Sequence, residues 1–81
     1  MSLILSVHAA EMMEERRIAL TWVEAVLARP ETAEPDPLDP SLTRSYRAIP
    51  EAQGKVLRVV HRPEGANVLI VTAYFDRGRR R

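Results

Sequence analysis

The stretch Lys55-Val56-Leu57-Arg58-Val59-Val60-His61-Arg62, Pro63-Glu64-Gly65-Ala66, Asn67-Val68-Leu69-Ile70-Val71-Thr72-Ala73-Tyr74-Phe75-Asp76-Arg77 decides the fold. Its outer blocks are rich in β-branched and aromatic residues, and the middle block has the turn chemistry of a hairpin with four or five loop residues. Period-two alternation places Leu69, Val71, Ala73 and Phe75 on one face of the last strand and Val68, Ile70, Thr72 and Tyr74 on the other. Pairing Arg62 with Val68 gathers Leu57, Val59, Leu69, Val71 and Phe75 on a covered face. Arg58, Arg62, Thr72 and Tyr74 then share the open face. A slip by one residue would bury Arg58, and an unpaired guanidinium is costly inside a core, so the first register is expected. In it the open face also carries Val56, Val60, Val68 and Ile70. That is too apolar for bare solvent and implies a dimer seam, a partner peptide or the concave surface of a curled sheet, with a protein partner on this face expected.

Upstream of the hairpin, Thr43-Arg44-Ser45-Tyr46-Arg47-Ala48-Ile49 alternates as a further strand, bracketed by the turn residues Pro50 and Gly54. Between Pro30 and Pro40 prolines alternate with Glu31, Glu34, Asp36 and Asp39; this segment reads as an extended solvated loop, with an edge strand as the alternative. Ahead of it lie two helices. In His8–Arg17, Ala9, Met12 and Met13 fall on one side, Glu11, Glu14 and Glu15 on the other, with Ser6 as N-cap. In Leu20–Arg29, Trp22, Val23, Val26 and Leu27 form an apolar stripe that Pro30 ends. The expected fold is α+β: a single domain of 81 residues with a helical hairpin at about 7–29, an acidic Pro-rich loop at 30–42, antiparallel strands at about 43–77 and a basic tail at 77–81. The two helices pack on one face of a three- to four-stranded antiparallel sheet.

Composition sets limits. A chain this short supports one core. It has no cysteine, which removes thiolate nucleophiles, disulfides and sulfur-ligated metals, and no apolar run reaches the roughly 20 residues needed to span a bilayer. A cytoplasmic protein without membrane partners is expected. The net charge of +1 hides an asymmetry: residues 1–53 carry nine acids against five bases, and residues 54–81 seven bases against two acids. The split suits either an anionic partner for the basic half or an electrostatic complement between the two halves.

His8-Ala9 leading through Met12 and Glu15-Arg16 to Ile18, then Trp22-Val23-Glu24-Ala25-Val26-Leu27 and Pro30, together with Val56-Leu57-Arg58-Val59-Val60 and Val71-Thr72-Ala73-Tyr74-Phe75-Asp76-Arg77, resemble domain-of-unknown-function family 4258 over nearly the whole chain. Arg17 stands where that family usually has glycine, and Ala19 where it usually has a serine cap. The family's helix–helix–sheet layout is similar to that of the RelE/ParE-like toxins, which include ribonucleases and gyrase inhibitors. The resemblance implies a toxin–antitoxin setting in which RNA or an antitoxin meets the open sheet face and the basic C-terminus.

Metal-free RNA cleavage needs a base, an acid and a cation for the phosphorane, and Arg58, His61 and Tyr74 supply those residue types, although the expected register sets His61 on the other face. Phosphates would be held by Arg58, Arg62, Arg77, Arg79, Arg80 and Arg81. No metal site or cofactor is expected: His8 with Glu11 and Glu15 on one helix offers too few ligands, and a role holding the helix start against the sheet suits His8 better. The leading expectation is an RNA- or protein-binding domain, with ribonuclease activity as an extension. The alternative is a catalytically silent module that dimerises through Val56, Val60, Val68 and Ile70.

Overall fold

A computed structural model of the chain describes residues 2–80, with side chains described through residue 78. The order along the chain is β1 (Leu3–Leu5), α1 (Val7–Glu15), α2 (Leu20–Ala28), β2 (Thr32–Pro35), β3 (Thr43–Ile49), a short 3₁₀ turn (Pro50–Ala52), β4 (Lys55–Glu64) and β5 (Asn67–Arg80). The strands form one five-stranded sheet in the order β1-β5-β4-β3-β2. All neighbours are antiparallel except β1, which runs parallel to β5. The sheet is therefore mixed and larger than the expected three to four antiparallel strands. The two extra strands are short edge strands, of three and four residues, with little pattern of their own. Nor does β5 end in a tail at residue 77: the strand continues to Arg80.

The hairpin differs from expectation in one way with large consequences. Pro63 and Glu64 stay in β4, so the loop is only Gly65-Ala66, and Glu64 pairs with Asn67. Gly65 adopts φ +60°, the left-handed value that a two-residue hairpin turn requires at its first position. The shorter loop moves Arg62 opposite Leu69 instead of Val68. A bulge at Val71 then shifts the register again, because His61 pairs with Ile70 while Val60 pairs with Thr72. Two parity changes nearly cancel. Ahead of the bulge, Val68 and Ile70 turn to the helix-packed face and Leu69 to the open one. Beyond it, Ala73 and Phe75 face the helices and Tyr74 faces away, as the alternation alone predicts.

The core lies between the helices and this face: Ala9, Met13, Ile18, Val23 and Val26 pack on Ile49, Leu57, Val59, Ile70 and Ala73, with Trp22 tilted against Phe75 at 6.2 Å between ring centroids. Ser6 ties helix to sheet. Its Oγ accepts from Ala9 N at 2.9 Å, capping α1, and donates to the bulge carbonyl of Val71 at 3.0 Å, while its own N–H donates to Ile70 O at 3.0 Å. His8, for which such a role was expected, is exposed. At the other end of α1, Arg17 takes φ +55° and the Ile18 and Arg17 N–H groups reach back to the carbonyls of Met13 and Glu14. This is a Schellman ending with arginine in the left-handed position that glycine normally fills, at a cost of about 1 kcal/mol. The Pro-rich segment is ordered too: Asp36 Oδ1 accepts from the backbone of Leu38 and Asp39, and its Oδ2 meets Arg44 Nε at 3.0 Å.

Candidate functional site

The face opposite the helices is centred on Arg58. Pairing sets Tyr46 of β3 on one side of it and Tyr74 of β5 on the other, each directly across the ladder. The guanidinium carbon lies 5.3 Å from the Tyr46 ring centroid and 4.8 Å from that of Tyr74. Arg58 Nη1 donates to the Tyr74 hydroxyl, and Nη2 meets Asp76 Oδ2 at 2.6 Å. The buried Nε has no acceptor among the described residues. Burial works against the charge of Arg58, but Asp76 and the two phenols outweigh it and raise the pKa. The cation is permanent.

A second layer surrounds this centre. Tyr46, only 2% exposed, donates its hydroxyl to Glu34 Oε1 of β2 at 2.9 Å. Burial, helped by that carboxylate, pushes the Tyr46 pKa up, so the phenol keeps its proton. Arg16, at the end of α1, reaches over the edge of β5 and sits 5.6 Å from the centre of the Tyr74 ring. It is exposed and has no ion pair among the described residues. Tyr74 thus has a guanidinium from a helix and one from a strand against its half-buried ring.

The residues singled out from the sequence are distributed unevenly over this geometry. Arg58 and Tyr74 meet, but His61 is on the helix side, where its Nε2 shares a 2.8 Å hydrogen bond with Ser45 Oγ. The three do not form one constellation, because β4 has no bulge of its own to turn His61 toward Arg58. Arg62 is on the open face and bound to Glu64 at 2.8 Å. Arg77 is exposed. Arg81, and the side chains of Arg79 and Arg80, lie outside the described residues. The apolar interface expected on the open face does not assemble there: Val68 and Ile70 belong to the helix-packed core, while Val56 and Val60 are buried on the open face itself. No group of three or more metal-ligating side chains occurs among the described residues. Sequence reading missed Tyr46, Asp76, Glu34 and Arg16. The first two were accessible, since Tyr46 alternates correctly in β3 and Asp76 follows Tyr74 by two positions on the same face.

Burial pushes the His61 pKa below its ordinary 6.5, so the ring is neutral in the folded protein and its bond to Ser45 is one between uncharged groups. The unfolded chain takes up a proton first as pH falls, so folding stability should drop below pH 6.5 and level off once the folded ring also protonates. Urea unfolding at a series of pH values checks this. A His61→Leu variant should lose that part of the slope and keep the further loss at lower pH, where the carboxylates titrate.

Over residues 5–75 the chain matches the model of a protein family described as Domain of unknown function (DUF4258). The chain belongs to this family. No curated protein and no solved structure gave a match. In this DUF4258 domain the matched span includes both helices, all of β2, β3 and β4, and the whole cluster around Arg58 except Asp76. No helix is long and apolar enough to cross a membrane among the described residues.

Proposed function

We propose that this DUF4258 domain binds single-stranded RNA on the open sheet face, with Tyr74 as the stacking surface and Arg16 as the nearest free cation. The supporting observation is the ring of Tyr74, half-exposed on the sheet and flanked by Arg16 and Arg58. Single-stranded nucleic acid is held through base stacking on aromatic faces and through cations along the backbone, and this arrangement offers both. Arg62 and Arg77 extend the positive surface, and the sequence adds the charges of Arg79, Arg80 and Arg81. The likeness to RelE/ParE-like toxins, an antitoxin that would compete for this face, and a cytoplasmic setting belong to the same proposal. Cleavage is not part of it, since Arg58 is engaged by Asp76 and the neutral imidazole of His61 is on the far side.

Fluorescence anisotropy with a labelled single-stranded RNA provides the test. Affinity should fall as salt rises. Tyr74→Leu should weaken binding by about tenfold or more, the loss of one stacked base, and Arg16→Ala should also weaken it and reduce the salt dependence. Arg58 is a poor probe because its replacement disturbs the fold. Binding that is absent at low salt, or unchanged in both variants, would refute the proposal.

A further inference from the structure

The two edges of the sheet are built differently. The β2 edge is flanked by Pro30 and Pro35 and carries Glu31 and Glu34, the devices that keep one sheet from pairing with another. The β1 edge has neither. Its strand is Leu3-Ile4-Leu5, without charge or proline, and Ile4 and Leu5 are 37% and 36% exposed.

Backbone direction on this edge follows from two hydrogen bonds. Val68 N donates to Ser2 O, and Ser6 N donates to Ile70 O, both at 3.0 Å. Alternation along a strand then turns Ile4 toward β5 as well and points the N–H and C=O groups of Leu3 and Leu5 outward. Side chains alternate in the other sense: Leu3 and Leu5 share the helix side with Val68 and Ile70, and Ile4 shares the open side with Leu69.

The sequence around this edge is a palindrome, Ser2-Leu3-Ile4-Leu5-Ser6. We infer that β1 pairs with β1 of a second copy of this chain, antiparallel, about a two-fold axis through Ile4. In that register Leu3 faces Leu5 of the second copy, and the outward groups of the two form a hydrogen-bonded pair, repeated by symmetry. Ile4 faces its own counterpart in a non-hydrogen-bonded pair. Ser2 faces Ser6, so no like charges are opposed. The half-exposed Leu5 gains a leucine neighbour on the helix side, and the two sheets become one. A self-complementary strand fits a second copy better than an unrelated peptide, for which nothing in the palindrome would select.

The chain has no cysteine, which gives a direct test. Ile4→Cys should form an intermolecular disulfide under mild oxidation, because a non-hydrogen-bonded pair brings Cα atoms to about 4.5 Å, inside the range a disulfide spans. Leu38→Cys, 93% exposed in the Pro-rich loop, is the control and should cross-link at least about tenfold more slowly. Sedimentation equilibrium of the unmodified chain should show dimer at concentrations up to about 0.5 mM, as suits a small interface. Leu5→Pro removes an outward N–H without touching the pairing to β5, and should give a folded monomer. Equal cross-linking rates for the two cysteine variants, a chain that stays monomeric, or a dimer that survives in Leu5→Pro would each overturn the inference.

Discussion

Asp76→Asn should destabilise the fold by about 3 kcal/mol, although Asp76 lies near the end of the last strand and packs against no helix. The side chains of Arg58 and Asp76 are 16% and 15% exposed, and the Asp76 carboxylate, 2.6 Å away, is the ion-pair partner of the guanidinium in its pocket of tyrosines. Deleting one partner of a buried pair costs about 3–5 kcal/mol because the other charge is left desolvated, and the remaining solvent access here puts the expectation at the lower end. The pocket has no slack to absorb the change, since Arg58 Nε already lacks an acceptor among the described residues. The double variant Arg58→Met, Asp76→Leu should recover most of the loss, as an apolar pair of similar volume does not carry the desolvation cost. Urea unfolding followed by Trp22 fluorescence measures all three chains. A loss below about 1 kcal/mol for Asp76→Asn would mean that the pair behaves as a solvent-screened one.

Leu57→Ala should cost about 3 kcal/mol or more. Leu57 is fully buried on the helix side of β4, among the largest inaccessible side chains, and its neighbours Val23 and Val26 are anchored on a rigid helix that cannot collapse into the void. A domain of this size has a total stability of roughly 4–12 kcal/mol, so the variant should show a much lower urea midpoint and a visible unfolded fraction at 37 °C. Leu38→Ala, by contrast, removes a side chain that is 93% exposed and should change stability by less than about 0.5 kcal/mol. Equal effects at the two leucines would contradict the placement of the core.

What the sequence made legible follows from the range of each signal. Both helices, the Ser6 cap and the Trp22–Val26 stripe were readable because a helix is encoded by residues three or four apart. The left-handed residue after α1 was foreshadowed by the likeness to a family with glycine at the position of Arg17. The shared face of Arg58 and Tyr74 was anticipated, but by a register that differs from the real one: a shorter hairpin loop and a bulge, each invisible to alternation, changed parity twice. Between the two changes the prediction inverted, which is why Val68 and Ile70 were assigned to the surface and lie in the core. β1 had no legible signal, because its partner is some 65 positions away and three apolar residues have no period. The candidate site was half visible. Residues from one hairpin could be paired on paper, whereas Glu34 and Arg16 reach the same face from an edge strand and a helix end whose positions only tertiary packing defines.

The parallel seat of β1 beside β5 also sets an order of events in the cell. Leu3–Leu5 and the Ser6 bonds require Val68, Ile70 and Val71, so β1 leaves the ribosome well before the strand on which it docks. Helices can form early, but the β3–β4–β5 face on which they rest is completed only when translation of the domain is nearly over. During that interval the uncharged Leu3-Ile4-Leu5 segment is an orphan, and slow codons ahead of residue 67 would lengthen the time in which chaperones have to shield it.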